Sequence, residues 1–526
     1  MAASRSSKRS PIFESLLAVL ALAAVSAVSV WWSAGHGWTL CYGDAEAHLN
    51  IARRIFDSRT PSYFQIGTVW LPLPHALMLP LVGDNALWRN GLAGAIPVAI
   101  CFVLAGAFLH AAARRMFDSS AAAAAAVAAL ALNPNLLYLQ SAPMTEPVFL
   151  AALAALLYFT VLFRDTQSGA AVVGAGVATL AATLTRYEGW FLIPFVALYF
   201  LIAAKQHRLI WAFLFGAVAS LGPIYWLAHN WWYWGDFLEF YRGPYSAKAI
   251  YQRALDGGMA RVPGDGDWQK AALYYKTAAE LCVGAPLFWM GLAGAVAGLL
   301  KRQFWALLLL ALAPAFYIMS VHGGSTPIFV PHLWPNTYYN TRYGIAVLPL
   351  LAVCAGALVA IVPGRVRGFA AVAVIVAAVS PWVFYPRPER WICWKESQVN
   401  SEARRAWTRQ AADYLRQWRR PGEGIFFSFG DLTGILREAD IPLREGFHNG
   451  NVPYWEAAIA RPDLFLWEDW ALAISGDKVD DALTRAQRHG PRYQCVKTIA
   501  PKGSPVVHIY RRVSEPAWLA PPASRQ

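Results

Sequence analysis

The feature that most constrains this chain is a succession of apolar runs long enough to cross a lipid bilayer. A spanning helix needs about 20 predominantly apolar residues. Such runs, about eleven of them, lie near 13–33, 92–113, 120–137, 147–163, 170–185, 189–204, 209–229, 280–300, 303–320, 343–362 and 368–385. Charged residues make up only 15% of the sequence, against about 25% in a soluble domain, which excludes a soluble multidomain enzyme. Six cysteines in 526 residues exclude a disulfide scaffold, and the apolar content excludes disorder.

Charge is concentrated at one end. Residues 386–526 hold 21 Lys/Arg and 17 Asp/Glu, about half of the total in about a quarter of the chain. The sequence therefore divides into a membrane region, residues 1–385, and a soluble domain, residues 386–526, joined at the stiff Pro386-Arg387-Pro388. Outer loops are expected at 35–91 and 230–278.

Basic residues give the orientation, because Lys and Arg accumulate on the cytoplasmic side. Arg5, Lys8 and Arg9 precede the first run. Arg114 and Arg115 follow the second, Arg164 the fourth, Lys205 and Arg208 the sixth, Lys301 and Arg302 the eighth, and Arg365 and Arg367 the tenth. The alternate connections are longer, aromatic, and carry nearly all the acids. An odd number of spans then puts the N-terminus in the cytoplasm and the C-terminal domain outside it. The net charge of +13 is largely this topology signal, so no nucleic-acid partner is expected. The first run is long for the 7–15 apolar residues of a signal peptide, and no clear small-x-small cleavage site precedes Trp31. A retained helix is expected.

In the soluble domain, helical patterns at 400–419, 432–438 and 477–488 alternate with strand patterns at 425–429, 471–475 and 506–510, a small α/β layer. No GxxxxGK[ST] phosphate loop and no HExxH pair occurs. Cys393 and Cys495 both lie outside and are candidates for a bridge, while Cys101 and Cys354 read as packing residues within helices.

Ionisable groups at the mouths of membrane helices are the informative ones, since charge near hydrocarbon is costly. Four clusters share the outer side. The first is Gly43-Asp44-Ala45-Glu46-Ala47-His48; Asp44 and His48 share a face if a helix begins at Asp44, and the plain alternative is that Asp44 caps that helix. In Met144-Thr145-Glu146-Pro147, Glu146 is the one acid between Asp118 and Asp165 and either caps the next helix or serves a site. Thr185-Arg186-Tyr187-Glu188-Gly189 follows, where Arg186 and Glu188 could simply pair. Last comes Tyr338-Tyr339-Asn340-Thr341-Arg342-Tyr343-Gly344, whose Arg342 suits a phosphate or anchors the interface. Lys248, in the aromatic loop 230–278, is a further phosphate candidate. A single reaction could use all of these: a carboxylate to take a proton and a cation to hold a leaving phosphate.

The membrane region resembles the GT-C integral-membrane glycosyltransferases, in particular the polyprenyl-phosphate-sugar-dependent group of protein O-mannosyltransferases and the aminoarabinose transferase of lipid A. The resemblance rests on the acidic first-loop motif followed by Ile51-Ala52-Arg53, on Thr185-Arg186-Tyr187-Glu188-Gly189, and on Arg342-Tyr343 opening a late helix. It implies a polytopic α-helical fold with Asp44 as catalytic base. Glu46 stands one residue later than the second acid of many members. The substrate-binding set implied or suggested beside Asp44 is Glu46, His48, Glu146, Arg186, Glu188, Arg342, Tyr343 and Lys248, with Arg342 on the lipid phosphate. The implied partners are a polyprenyl-phosphate sugar, an acceptor hydroxyl on a protein, lipid or glycan, and membrane lipids. A divalent cation, Mg or Mn, held by Asp44 and Glu146, is a candidate cofactor, though none is expected to be essential. The absence of any Asn-x-Ser/Thr site favours a bacterial inner membrane over an endoplasmic reticulum. A multi-pass transporter is the competing reading, but transporters place charge near the midplane and show related halves, and neither is evident.

Overall fold

The structure, a computed structural model, describes residues 11–514; Arg5, Lys8 and Arg9 lie outside them. Each apolar run falls on a helix. Among the described residues, seven helices are long and apolar enough to cross a membrane: Phe13–Gly35, Leu92–Phe117, Glu146–Thr166, Arg208–Trp234, Phe304–His322, Thr341–Ile361 and Gly364–Phe384. An eighth span is counted if Trp268–Val283 and Ala285–Leu300, bent by 110° at the break between them, act as one. Gly284 makes that bend with φ of +83°, a conformation costly for any residue with a Cβ, and Pro286 opens the second limb. Three expected runs give shorter helices, Ser120–Ala131, Gly169–Thr183 and Glu188–Ala203. The run at 120–137 stops early because the Asn133 side chain accepts from the Asn135 and Leu136 N–H groups and starts a separate helix at Pro134.

The chain packs as two compact units. Among the described residues, the first comprises 11–39, 68–74 and 95–396; the second comprises 40–67, 75–94 and 397–514. The outer loop at 35–91 thus supplies most of its residues to the unit that holds the C-terminal domain.

Within the first unit, the spans Glu146–Thr166 and Thr341–Ile361 are central and largely buried, whereas Phe13–Gly35 and Gly364–Phe384 are mostly exposed along their apolar lengths, as lipid-facing helices are. Small residues let backbones approach. A Cβ at Gly294 would lie 2.3 Å from the Cys354 carbonyl oxygen, and one at Gly344 would lie 2.4 Å from the Ala278 carbonyl oxygen. The second contact matters because Gly344 lies two residues after Arg342 in the same 3-10 segment, Thr341–Val347. Gly344→Ala must push the Arg342 segment off the Trp268–Val283 helix, at a cost of about 1–3 kcal/mol. Thermal unfolding should show a Tm drop of several degrees; an unchanged Tm would mean that this contact is looser than described.

The second unit is built on a five-stranded sheet: β1 Ile425–Phe427, β2 Gly446–Phe447, β3 Trp470–Ile474, β4 Tyr493–Ile499 and β5 Val507–Arg512. The order is β2-β1-β3-β5-β4, with β1 parallel to β2 and β3, and β5 antiparallel to β3 and β4. Side chains alternate along β1. Ile425 and Phe427 face a core with Trp407, Leu415 and Leu436, and Leu49, Met78 and Trp88 from the outer-loop segments pack into the same cluster. Phe426 faces the opposite layer with Trp455, Leu483 and Tyr493. The expected strands and helices are present; β2 and β4 are additions. Cys393 and Cys495 do not pair with one another: Cys393 is buried and Cys495 is exposed.

Candidate active site

In the second unit, residues Gly43–Arg54 form an amphipathic helix. Tyr42, not Asp44, is its N-cap residue, and Asp44 lies within the first turn, where the positive end of the helix dipole favours a carboxylate. Asp44 is half-exposed. His48, one turn on, is buried, and its Nδ1 lies 3.0 Å from Nε2 of the buried His75. Asp431 completes the neighbourhood. It is exposed as a residue, yet desolvation of its carboxyl, then the negative charges of Glu46 and Asp44, hold its pKa above the ordinary value against the pull of Arg404.

Glu46, expected beside Asp44 in the substrate-binding set, is buried and ion-paired within the second unit. It is 6% exposed and clamped between two guanidinium groups: Arg437 Nε donates to Oε1 at 3.0 Å, and Arg404 Nη1 donates to Oε2. Arg404 and Arg437 also donate to the carbonyls of Cys41 at 2.9 Å and Arg89 at 2.6 Å. Gly434 leaves room for the carboxylate, since a Cβ there would meet Oε1 at 2.5 Å. Burial pushes the Glu46 carboxyl up, but Arg437 and Arg404 outweigh it and hold it below the usual carboxylate range. Its two ion pairs tie the Gly43–Arg54 helix to the helices that carry Arg404 and Arg437 within this unit.

The first unit gathers the other three clusters. Glu146 opens the Glu146–Thr166 helix, and its Oε1 accepts from Arg342 Nε at 3.1 Å and Arg186 Nη1 at 3.3 Å. Arg186 also donates to Glu188 at 2.7 Å, to Thr145 at 2.6 Å and to the Tyr317 hydroxyl at 2.6 Å, while Tyr317 donates to Glu188. Arg342 Nη1 reaches Glu396 at 3.2 Å, and the Arg342 backbone N–H donates to the same carboxylate at 3.3 Å. Tyr343 lies beneath both guanidinium groups, at 4.9 Å from Arg342 and 5.1 Å from Arg186, and stacks on Tyr317 at 4.8 Å. The pairing of Arg186 with Glu188 is thus real, as part of a larger lattice.

Charge decides what this lattice can do. Two guanidinium groups face the carboxyls of Glu146, Glu188 and Glu396, so it offers no surplus positive charge while all three are ionised. Burial pushes the Glu396 carboxyl above its ordinary value, against Arg342 and its hydrogen bonds. Protonation of Glu396 would release Arg342 from one of its two carboxylate partners. Glu146 Oε2 is buried without a hydrogen-bond partner and lines a small cavity with Phe149, Tyr317, Tyr343 and Ile345. Lys248 is exposed, resting over the Tyr241 ring at 4.9 Å.

Sequence reasoning missed Thr145, Tyr317 and Glu396 in this unit, and His75, Arg404, Arg437 and Asp431 in the other. Tyr317 sits in an apolar run, and Glu396 falls where the chain reads as soluble; neither position carries a local signal. Among the described residues, no group of three or more His, Cys, Asp or Glu is placed to hold a metal ion, and Glu146 commits Oε1 to two arginines.

Comparison with known proteins agrees with this architecture. The family model for dolichyl-phosphate-mannose-protein mannosyltransferase matches residues 76–232. Among curated proteins, none matches the chain. Two solved structures are similar over nearly the whole length. ArnT from Cupriavidus metallidurans bound to undecaprenyl phosphate has a TM-score of 0.55 at 17% identity, covering 93% of this chain and 97% of that one. The apo state of the same protein gives 0.52 at 16%, covering 92% and 97%. Helical membrane region and C-terminal sheet domain together, the chain has the GT-C glycosyltransferase fold in its ArnT-like form.

Proposed function

We propose that this protein is an inverting membrane glycosyltransferase that moves a sugar from a polyprenyl-phosphate donor to an acceptor hydroxyl on the outer face of the membrane. The observation that carries the reading is the match, over nearly the full chain, to a protein whose structure holds undecaprenyl phosphate. The mannosyltransferase family model supports it independently.

In this reading Asp44 removes the proton from the acceptor hydroxyl as that oxygen attacks the anomeric carbon. The bond from that carbon to the phosphate oxygen breaks, and the polyprenyl phosphate leaves with the electron pair. One displacement inverts the anomeric configuration and needs one base. His48 and His75 hold the face of the Gly43–Arg54 helix on which Asp44 stands. The leaving phosphate needs cationic neutralisation, the role proposed for Arg342, with phosphate replacing a carboxylate partner and Tyr343 bracing the guanidinium. Arg186, Glu188 and Glu146 keep Arg342 in place, and the exposed Lys248 is a candidate for the donor's approach. No step runs through a metal. The outer face follows from the basic connections at Arg114–Arg115, Lys205–Arg208, Lys301–Arg302 and Arg365–Arg367, and the host membrane is proposed to be a bacterial inner membrane.

Binding tests the donor class apart from chemistry. Tritiated undecaprenyl phosphate should bind the purified protein saturably, and equally well to Asp44→Asn, because the base does not hold the phosphate. Absence of saturable binding to folded wild-type protein would remove the polyprenyl-phosphate donor from the account.

A further inference from the structure

We infer that Cys282 and Cys393 are joined by a disulfide in the mature protein, formed on the outer side of the membrane, and that this bridge staples the segment carrying Arg342. The two residues are 111 positions apart, and nothing in the sequence pairs them. In the structure their sulfurs lie 3.9 Å apart, with both side chains fully buried. A disulfide needs about 2.05 Å between sulfurs, and at 3.9 Å the two thiols are already neighbours.

The backbones are held for it. Asn135 spans both residues with one side-chain amide: its Nδ2 donates to the Cys282 carbonyl at 2.9 Å, and its Oδ1 accepts from the Cys393 N–H at 2.9 Å. Asn133 adds a second donor to the Cys282 carbonyl at 3.0 Å. A buried amide that fixes the mutual position of two cysteines defines a site, whereas a lone thiol packed among apolar groups does not. Cys101 and Cys354 show the contrast, each buried within an apolar helix.

Position in the fold supplies the compartment. Cys282 stands at the 110° bend, and the Ala285–Leu300 helix runs from there to Lys301 and Arg302. Cys393 follows the Gly364–Phe384 helix, which begins at the basic Arg365 and Arg367. Both cysteines therefore sit at the ends opposite the basic connections, which is the oxidising side if the orientation proposed above holds; the inference rests on that reading. Two thiols exchange with the disulfide of a protein oxidant of that compartment. One sulfur–sulfur bond forms here, one breaks in the oxidant, and two protons and two electrons pass to it. Because the pair is buried in the finished fold, exchange occurs during folding, before the helices close over it.

The consequence falls on Arg342. The Cys282 thiol lies 3.2 Å from the Thr341 carbonyl oxygen, and Glu396, which holds the Arg342 backbone and side chain, is one turn beyond Cys393 on the same helix. The bridge links the helices on either side of Arg342 into one body.

The test is mass spectrometry on full-length protein, alkylated with iodoacetamide in denaturant without reductant. A linked Cys282–Cys393 peptide is expected, with Cys41, Cys101, Cys354 and Cys495 alkylated. In parallel, a membrane-impermeant maleimide applied to intact cells should label the exposed Cys495, with Cys495→Ser as control. Alkylated Cys282 and Cys393 with Cys495 labelled from outside would overturn the bridge and leave the orientation standing. The same alkylation with Cys495 unlabelled would overturn the bridge and the orientation together.

Discussion

Asp44→Asn is expected to lower kcat for sugar transfer by about 10²- to 10⁴-fold, the range a positioned general base contributes, while donor binding stays within a few-fold of wild type. The side chains are isosteric, so the first turn of the Gly43–Arg54 helix keeps its shape, and Asn is tolerated near a helix start. What is lost is the ability to accept the acceptor proton as the oxygen attacks. Circular dichroism and Tm should match wild type, which separates a chemical effect from a folding one. A variant that keeps full kcat would move the base elsewhere. Asp431, which feels the charge of Asp44, would be first in line within the same unit.

The second large effect is on stability. Glu46→Ala leaves Arg404 and Arg437 buried around an empty position, and breaking a buried ion pair by removing one partner costs about 3–5 kcal/mol. The second unit is then expected to lose its cooperative unfolding transition or to melt far below wild type. The sign of the pH dependence follows from the same contacts. The Glu46 pKa lies below its ordinary value of 4.5, so its stabilisation is complete above that value and is lost as pH falls through the lowered one. His448 acts at higher pH: burial, then the charges of Arg54 and Arg59, hold its pKa well below the ordinary 6.5. Below 6.5 the unfolded chain takes up a proton that the folded chain refuses, and stability falls. Acid unfolding of wild type should begin below about pH 6.5 and steepen in the carboxylate range. His448→Gln should remove the first phase and keep the second.

Much of the architecture was legible because hydrocarbon imposes length and apolarity on each crossing helix. The break at Asn133-Pro134 and the bend at Gly284 were not anticipated, although both carry ordinary start and turn chemistry, since a run of apolar residues hides a change of direction. In the soluble domain, β1 and β3 stood out as apolar strings. β2 has only two residues and no alternation to read, and β4 is mostly exposed polar side chains. Asp44 stood out as a candidate from its place in a loop motif. The partners of Glu46 were not, because Arg404 and Arg437 follow it by 358 and 391 residues. The segment that carries both Asp44 and Glu46 reads locally as a loop between spans, yet it folds into the core of the sheet domain with Leu49 and Trp88. Contacts of that range leave no periodicity behind them.

The most direct measurement is transfer of radiolabelled sugar from a panel of polyprenyl-phosphate sugars to protein, lipid and glycan acceptors by purified wild-type protein in lipid vesicles, with the anomeric configuration of the product read by NMR. The account predicts transfer from at least one donor, with inverted configuration and release of polyprenyl phosphate. Movement of the lipid-linked sugar across the vesicle membrane, with no glycosidic bond formed to any acceptor, would contradict it and identify the protein as a transporter.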